Sequence, residues 1–192
     1  MKILITGGMG FVGSHLTEFL LKKNHEIKII TKSFLKKQNV EKFKKNIQIE
    51  KCSVTNFKRM GEIIDEFCPE IIIHLAGNTS HSKSFKNPLK DLDANTKSTL
   101  FLLEKIRQHN LKCKFILGST FIVIGKPRKL PINEETECRP GTIYGVNRLT
   151  SEYYCKIFHD MYGLDTNIFR ITNSFGPREQ IIPNKNAVNF LI

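Results

Sequence analysis

The sequence predicts an α/β fold: a doubly wound parallel sheet of Rossmann type, strand order 3-2-1-4-5-6, with helices on both faces. Three observations lead there. Short Ile-rich runs alternate with amphipathic stretches along the whole chain. The runs are apolar enough to be buried on both sides, as a parallel sheet between two helical layers requires. A glycine-rich turn follows the first run and opens a helical stretch. Right-handed crossovers then leave few topologies, of which this order leads.

Strands are expected at 2–6 (KILIT), 26–31 (EIKIIT), 46–50 (NIQIE), 70–76 (EIIIHLA), 113–119 (CKFILGS) and 166–171 (TNIFRI), each bounded by polar residues or glycine. Helical patterns lie near 11–23, 56–67, 88–109 and 143–162. In the third, Leu92, Leu100, Leu103 and Ile106 fall at helix-compatible spacings. In the fourth, Leu149, Tyr153, Ile157 and Met161 run four apart down one side. Segment 33–45 reads as helix or as loop, and no repeat, low-complexity tract or internal linker interrupts the pattern.

With 192 residues, the chain fits one large domain. Such a domain buries about 70% of its unfolded surface and needs no disulfide or metal for stability. The five cysteines form no CxxC pair, and with six scattered histidines no zinc-ligand spacing arises, so no metal is expected. Scattered thiols point to a reducing compartment. The opening MKILITGG is too short for a signal peptide, and no stretch approaches ~20 apolar residues, so a cytoplasmic protein without a membrane partner is expected. The net charge of +12 has two readings, an anionic partner or solvated faces such as Lys22-Lys23, Lys36-Lys37 and Lys44-Lys45. The basic residues are spread rather than clustered and no reader motif accompanies them, which favours solvated faces and no nucleic-acid partner.

The turn after the first strand, TGGMGFVGSHL (6–16), satisfies Gly8-x-Gly10-x-x-Gly13 and equally Gly7-x-x-Gly10-x-x-Gly13. Glycines there permit a tight turn and close approach of backbone to a pyrophosphate. The helix opening at Phe11 and Val12 offers free N–H groups and the positive end of its dipole to the anion. At a strand-to-helix junction inside a βαβ pattern, this is a dinucleotide fingerprint.

With these residues quoted, the chain resembles the extended short-chain dehydrogenase/reductase family, the NAD-dependent epimerase/dehydratase group that works on nucleotide sugars. Further segments agree in order: IIIHLAGNTS (71–80) with the strand-4 motif beneath the cofactor, DANTKSTLFLLE (93–104) with the Asn-containing helix, GSTFIVIGKP (118–127) with the Ser-Ser/Thr-x-x-Val-Tyr-Gly segment, YGVNRLTSE (144–152) with the catalytic motif, and RITNSFGPREQ (170–180) with the segment after strand 6. Ile124 stands where the family has Tyr.

The resemblance implies that Thr120 and Tyr144 handle a substrate oxygen, with Arg148 in the slot the family fills with lysine. A phenol titrates near pH 10, and a fixed neighbouring cation favours its phenolate, so Tyr144 would act as acid and base beside Arg148. Arginine keeps the charge but presents a planar fork in place of a point charge. The pair reads as a working acid–base couple, a variant of one, or two exposed helix residues. Cofactor contacts are implied for Gly7, Gly10, Phe11, Val12, Gly13, Leu75, Ala76, Gly77, Asn95, Tyr144 and Arg148, and adenine contacts for Ser53 and Val54. Ser53 replaces the family's Asp at that corner. Asn95 also reads as a helix brace, His74 as core, and Ser84 as either a substrate contact or a helix start. Asn173 matches a substrate-contacting Asn.

NAD-preferring folds place an acid at the end of strand 2, and here that position is Thr31, followed by Lys32 and Ser33. Hydroxyls and a lysine suit a 2′-phosphate, which favours NADP, while many family members use NAD. The implied function is an NAD(P)-dependent nucleotide-sugar epimerase or reductase, because Phe121 and Ile122 follow Thr120 without the Asp-Glu pair of many dehydratases. The alternative is a dinucleotide-binding regulator or scaffold with decayed catalysis. Residues 1–176 would form the dinucleotide-binding domain and 177–192 the start of a substrate-binding region, in a fragment or a naturally short protein. Packing of the helices near 88–109 and 143–162 in the family implies a homodimer.

Overall fold

Isoleucine recurs at alternate positions of the strands because its branched Cβ packs well on a pleated surface. Lys2–Thr6 (β1), Glu26–Thr31 (β2), Gln48–Lys51 (β3), Ile71–His74 (β4), Lys114–Thr120 (β5) and Thr166–Ile171 (β6) form one sheet in the computed structural model, which describes residues 1–109 and 112–179. All neighbours are parallel, in the order β3-β2-β1-β4-β5-β6. The expected fold and strand order are therefore observed.

Register aligns Ile3 with Ile27 and Ile71, and Ile5 with Ile29 and Ile73. These isoleucines share one sheet face, where Leu16 and Leu20 of α1 (Phe11–Leu21) cover them together with Val40 and Phe43. The other face, with Leu4, Ile30, Ile72, Phe115 and Leu117, is covered by α2 (Phe57–Phe67), α5 (Ser98–Gln108) and α6 (Ile143–Tyr162). Each fully buried Leu or Ile stabilises by about 1.5–3 kcal/mol, so the two layers hold the strand ends in place.

Local signals set the helix ends. Asn56 accepts from the Arg59 amide at 3.2 Å ahead of α2, and Thr142 accepts from the Gly145 amide at 3.0 Å ahead of α6. Gly163 closes α6 at φ 70°.

The pattern expected near 88–109 is not one uniform helix. It runs as α4 (Pro88–Leu92), a wider π-turn (Asp93–Lys97) and then α5. A further short helix, α3 (His81–Lys86), precedes it, capped by Ser80. Segment 33–45 is neither a full helix nor irregular throughout, since it carries 3₁₀ turns at Lys37–Asn39 and Lys44–Asn46. The stripe Leu149, Tyr153, Ile157 and Met161 does not face the sheet: Tyr153, Ile157 and Met161 are 54%, 49% and 72% exposed. The core side of α6 is instead lined by Tyr144, Asn147, Arg148, Ser151, Glu152, Cys155 and Phe158. No helix among the described residues is long and apolar enough to cross a membrane. Of the expected C-terminal region, residues 180–192 lie outside the described residues.

Candidate functional site

Strand order reverses between β1 and β4, which opens a crevice at their carboxyl ends. The glycine turn fills its rim. Gly7 takes φ +75°, and its carbonyl accepts from the Gly10 amide at 2.8 Å. A Cβ on Gly13 would lie 2.3 Å from the Gly7 carbonyl oxygen, so only glycine lets α1 approach the turn this closely. Gly10 starts α1 with no side-chain cap, and no acid stands in the first turn. The amides of Phe11, Val12 and Gly13 thus begin a helix whose dipole and first N–H groups favour an anion.

Beneath this turn lies a closed hydrogen-bond chain. The Ala76 amide donates to Thr6 Oγ1 at 3.1 Å, and Thr6 Oγ1 meets His74 Nδ1 at 2.7 Å. His74 Nε2 meets Ser98 Oγ at 3.1 Å, and Ser98 donates to the Ala94 carbonyl at 2.7 Å. Every group is satisfied only if Thr6 donates to Nδ1 and a neutral His74 donates from Nε2. Burial, with the nearby Arg148 charge, pulls the His74 pKa down to about 3. His74 is thus a core residue, as expected, and it fixes the Leu75–Ala76–Gly77 corner.

Tyr144 and Arg148 are both buried, at 8% and 3% exposure, which overturns the reading of Arg148 as a surface cation. Arg148 Nη1 reaches Asn95 Oδ1 at 3.5 Å, and Nη2 donates to the Gly118 carbonyl of β5. Its Nε is buried without a hydrogen-bond partner. Burial lowers the Arg148 pKa, and the Tyr144, Cys155, Glu152 and Asp91 charges oppose that shift. Asn95 is fully buried in the π-turn and donates from Nδ2 to the Asn78 carbonyl at 3.2 Å. A Cβ on Gly77 would meet Asn95 Oδ1 at 2.2 Å and Arg148 Nη1 at 3.5 Å. The structure therefore brings Gly77, Asn95 and Arg148 together at the crevice, and Asn95 acts as a brace there.

Thr120 ends β5 at 8% exposure, and its hydroxyl accepts from the Ile122 amide at 3.3 Å, which leaves its own proton to donate. At the far end of the crevice, Thr31 Oγ1 donates to the Ser33 carbonyl at 2.8 Å and Lys32 is exposed. The neighbouring acid, Glu50, is held by Arg59 at 3.0 Å. Ser53 Oγ pairs with Thr55 Oγ1 at 2.8 Å, and Val54 stands beside it, partly exposed. Ser84 is fully buried inside α3 and starts no helix, since Ser80 caps α3 and Asn87 precedes α4. Asn173 is exposed after β6.

Sequence reading missed two buried networks. Asp91, 1% exposed, accepts from Asn78 Nδ2 at 2.5 Å and from Asn147 Nδ2 at 2.7 Å, tying the loop after β4 to α6. Glu152, also 1% exposed, accepts from Ser119 Oγ at 2.6 Å and from Arg170 at 2.8 Å, tying β5, α6 and β6 next to Thr120. The signal for the first was Asn147, one residue before Arg148, and for the second Glu152 and Arg170, opposite charges that end and begin two of the quoted motifs. The residues at the crevice fit a nicotinamide dinucleotide: an uncapped helix start, close glycine backbone, and the buried Arg148 guanidinium, with Nη1 beside Gly77 and Nε unpartnered.

Comparison with known proteins agrees with this geometry. The family described as GDP-mannose 4,6 dehydratase matches residues 4–191. UDP-glucuronic acid decarboxylase 1 of Xenopus tropicalis is 32% identical over 199 residues, covering 100% of this chain and 45% of the relative. UDP-glucose 4-epimerase of Thermotoga maritima, solved with UDP-glucose, superposes with a TM-score of 0.86 at 32% identity, over 94% of this chain and 58% of that one. UDP-glucose 4-epimerase of Thermus thermophilus, solved with NAD, gives a TM-score of 0.86 at 28% identity, over 96% and 59%. The chain spans about half the length of the curated relatives it matches.

Proposed function

The chain belongs to the extended short-chain dehydrogenase/reductase family, in its NAD-dependent epimerase/dehydratase group, and on that footing we propose that it is the dinucleotide-binding part of a nucleotide-sugar epimerase or reductase. The observation that carries this reading is the buried Tyr144–Arg148 pair, with Arg148 Nη1 beside Gly77 at the crevice and Nε unpartnered. Bound nicotinamide supplies hydride acceptance and return. The protein's own residues do the rest. Thr120 donates to the substrate oxygen and holds it at Tyr144, where the side chain takes the proton as phenolate and returns it as phenol. Arg148 stays charged, favours negative charge on the Tyr144 oxygen, and offers Nε to a ribose hydroxyl. Asn95 and the Gly118 carbonyl hold the guanidinium in place.

At the adenosine end, Thr31, Lys32 and Ser33 suit a 2′-phosphate and favour NADP, whereas the Thermus thermophilus relative holds NAD. The melting temperature with each dinucleotide at matched concentration decides between them. A ligand at 100 times its Kd adds about 2.7 kcal/mol. A shift with NADP⁺ supports the Thr31–Lys32 corner, and Thr31→Asp then reverses the preference; a shift with NAD⁺ alone overturns it. No shift with either removes the dinucleotide reading. For activity, a chain carrying the full substrate region is loaded with cofactor and offered a nucleotide-sugar panel, and the absence of hydride exchange with every member defeats the proposal.

A second reading, a dinucleotide-binding regulator with decayed catalysis, is favoured by one observation: Arg148 uses Nη2 on the Gly118 carbonyl. Turnover absent from both the natural chain and Arg148→Lys selects it.

The outward stripe of Val146, Tyr153, Ile157 and Met161 on α6 supports homodimer formation through that helix.

A further inference from the structure

Contacts from three separate parts of the chain converge on the turn after β6. Arg178 Nη1 donates to the Ser14 carbonyl at 3.1 Å, and Nη2 donates to the Glu18 carboxylate. The guanidinium lies over the Phe43 ring, 5.7 Å from its centroid. The Arg178 carbonyl accepts from Asn39 Nδ2 at 3.3 Å, and the same amide donates to the Met9 carbonyl at 3.1 Å. One residue earlier, the Pro177 carbonyl accepts from the His15 ring at 2.8 Å.

Two features show that this is a built arrangement. Arg178 holds φ +71°, a left-handed conformation that a non-glycine residue keeps only where its surroundings fix it. Asn39, 7% exposed, has its amide shared between the glycine turn, through Met9, and the segment after β6, through Arg178. Arg178 also holds the Glu18 carboxyl below its ordinary range, the direction a charge-assisted bond gives. Ser14 and Glu18 lie four apart on the helix that the glycine turn opens, and Asn173 lies five residues before Arg178.

We propose that Arg178 is a positioning residue that couples the two sides of the crevice. Its clasp on Ser14, Glu18 and Asn39 keeps segment 172–177, with Asn173 in it, in register with the glycine turn. An anion ordering the turn and the start of α1 also orders Met9, Asn39 and Ser14, and through them the segment on the substrate side. This inference rests on the dinucleotide reading above, which assigns the turn its ligand.

Amide hydrogen exchange of segments 7–18 and 172–179, with and without saturating NAD⁺ or NADP⁺, tests it. In the natural chain, dinucleotide slows exchange in both segments. In Arg178→Gln, segment 7–18 still responds, while 172–179 exchanges about tenfold faster and no longer responds, the size expected for losing a charge-assisted hydrogen bond. Glu18→Gln shows the same change in part from the other side of the bond, and Arg178→Lys restores some of it. The proposal is overturned if 172–179 responds in Arg178→Gln as it does in the natural chain. It is equally overturned if 172–179 ignores dinucleotide in the natural chain while 7–18 responds. A natural chain in which neither segment responds means that the dinucleotide reading itself has failed, and the coupling falls with it.

Discussion

Arg148 on α6 donates to the main-chain carbonyl of Gly118 on β5, and so the buried cation at the base of the crevice is tied to the sheet rather than to a carboxylate. Burial drags its pKa down. A guanidinium still stays protonated under these conditions, which makes the charge permanent while limiting how the side chain can move.

Replacing Arg148 separates charge from geometry. Arg148→Met, in a chain with its substrate region, is expected to lower hydride exchange by roughly 10²–10⁴-fold, the range for losing an acid–base arrangement. Arg148→Lys is expected to match or exceed the natural rate, because a lysine restores a movable point charge. Single-turnover absorbance of reduced nicotinamide reads both.

His74 makes acid stability predictable. An unfolded imidazole takes up a proton near pH 6.5, while the folded one refuses it until about 3, so the unfolded state binds more protons between those values. Stability contributed by neutral His74 is complete above 6.5 and lost as pH falls toward 3, on the order of 5 kcal/mol across the window. Urea unfolding from pH 7 to 4 is expected to show a shallower decline in His74→Gln than in the natural chain. Parallel declines would disprove the assignment.

Glu152 is the next test. Glu152→Ala strands the Ser119 hydroxyl and the Arg170 guanidinium, which is 21% exposed and so partly rescued by water. A loss of about 2–3 kcal/mol is expected, below the range for fully buried pairs. That lowers the melting temperature by roughly 5–10 °C in a domain of this size. Glu152→Gln, which can still accept from Ser119, is expected to lose less.

The outward face of α6 predicts assembly. Ile157→Glu places a charge within the exposed stripe, so a homodimer seen by sedimentation is expected to become monomeric while the unfolding free energy of the folded monomer changes by no more than about 0.5 kcal/mol. A natural chain that sediments as a monomer removes the dimer.

Much of this was readable in order along the chain. Ile-rich runs and the glycine turn specify the sheet and its crevice because both are local signals, and Tyr144, Arg148 and Thr120, named by the quoted motifs, are all buried. The orientation of α6 was not readable from apolar spacing. Its inward face carries Asn147, Arg148, Ser151 and Glu152, whose burial is compensated by hydrogen bonds to Asp91, Gly118, Asn95 and Ser119. Such compensation is long-range: Asp91 and Asn147 are 56 residues apart. Segment 33–45 escaped because its short 3₁₀ turns carry no 3.6-residue period.

The π-turn at Asp93–Lys97 works as a phase shifter. One α-helical residue advances the side chains by about 100°, so a single extra residue taken up in a wide turn rotates everything before it relative to everything after. Upstream, Asp91 is aimed at α6; downstream, Leu102, Leu103 and Ile106 are aimed at the sheet. An uninterrupted helix would satisfy one set and misdirect the other. Deleting Ala94 is therefore expected to leave the apolar half of the helix seated while swinging Asp91 off its partners, a far larger change than any substitution at Ala94 would cause.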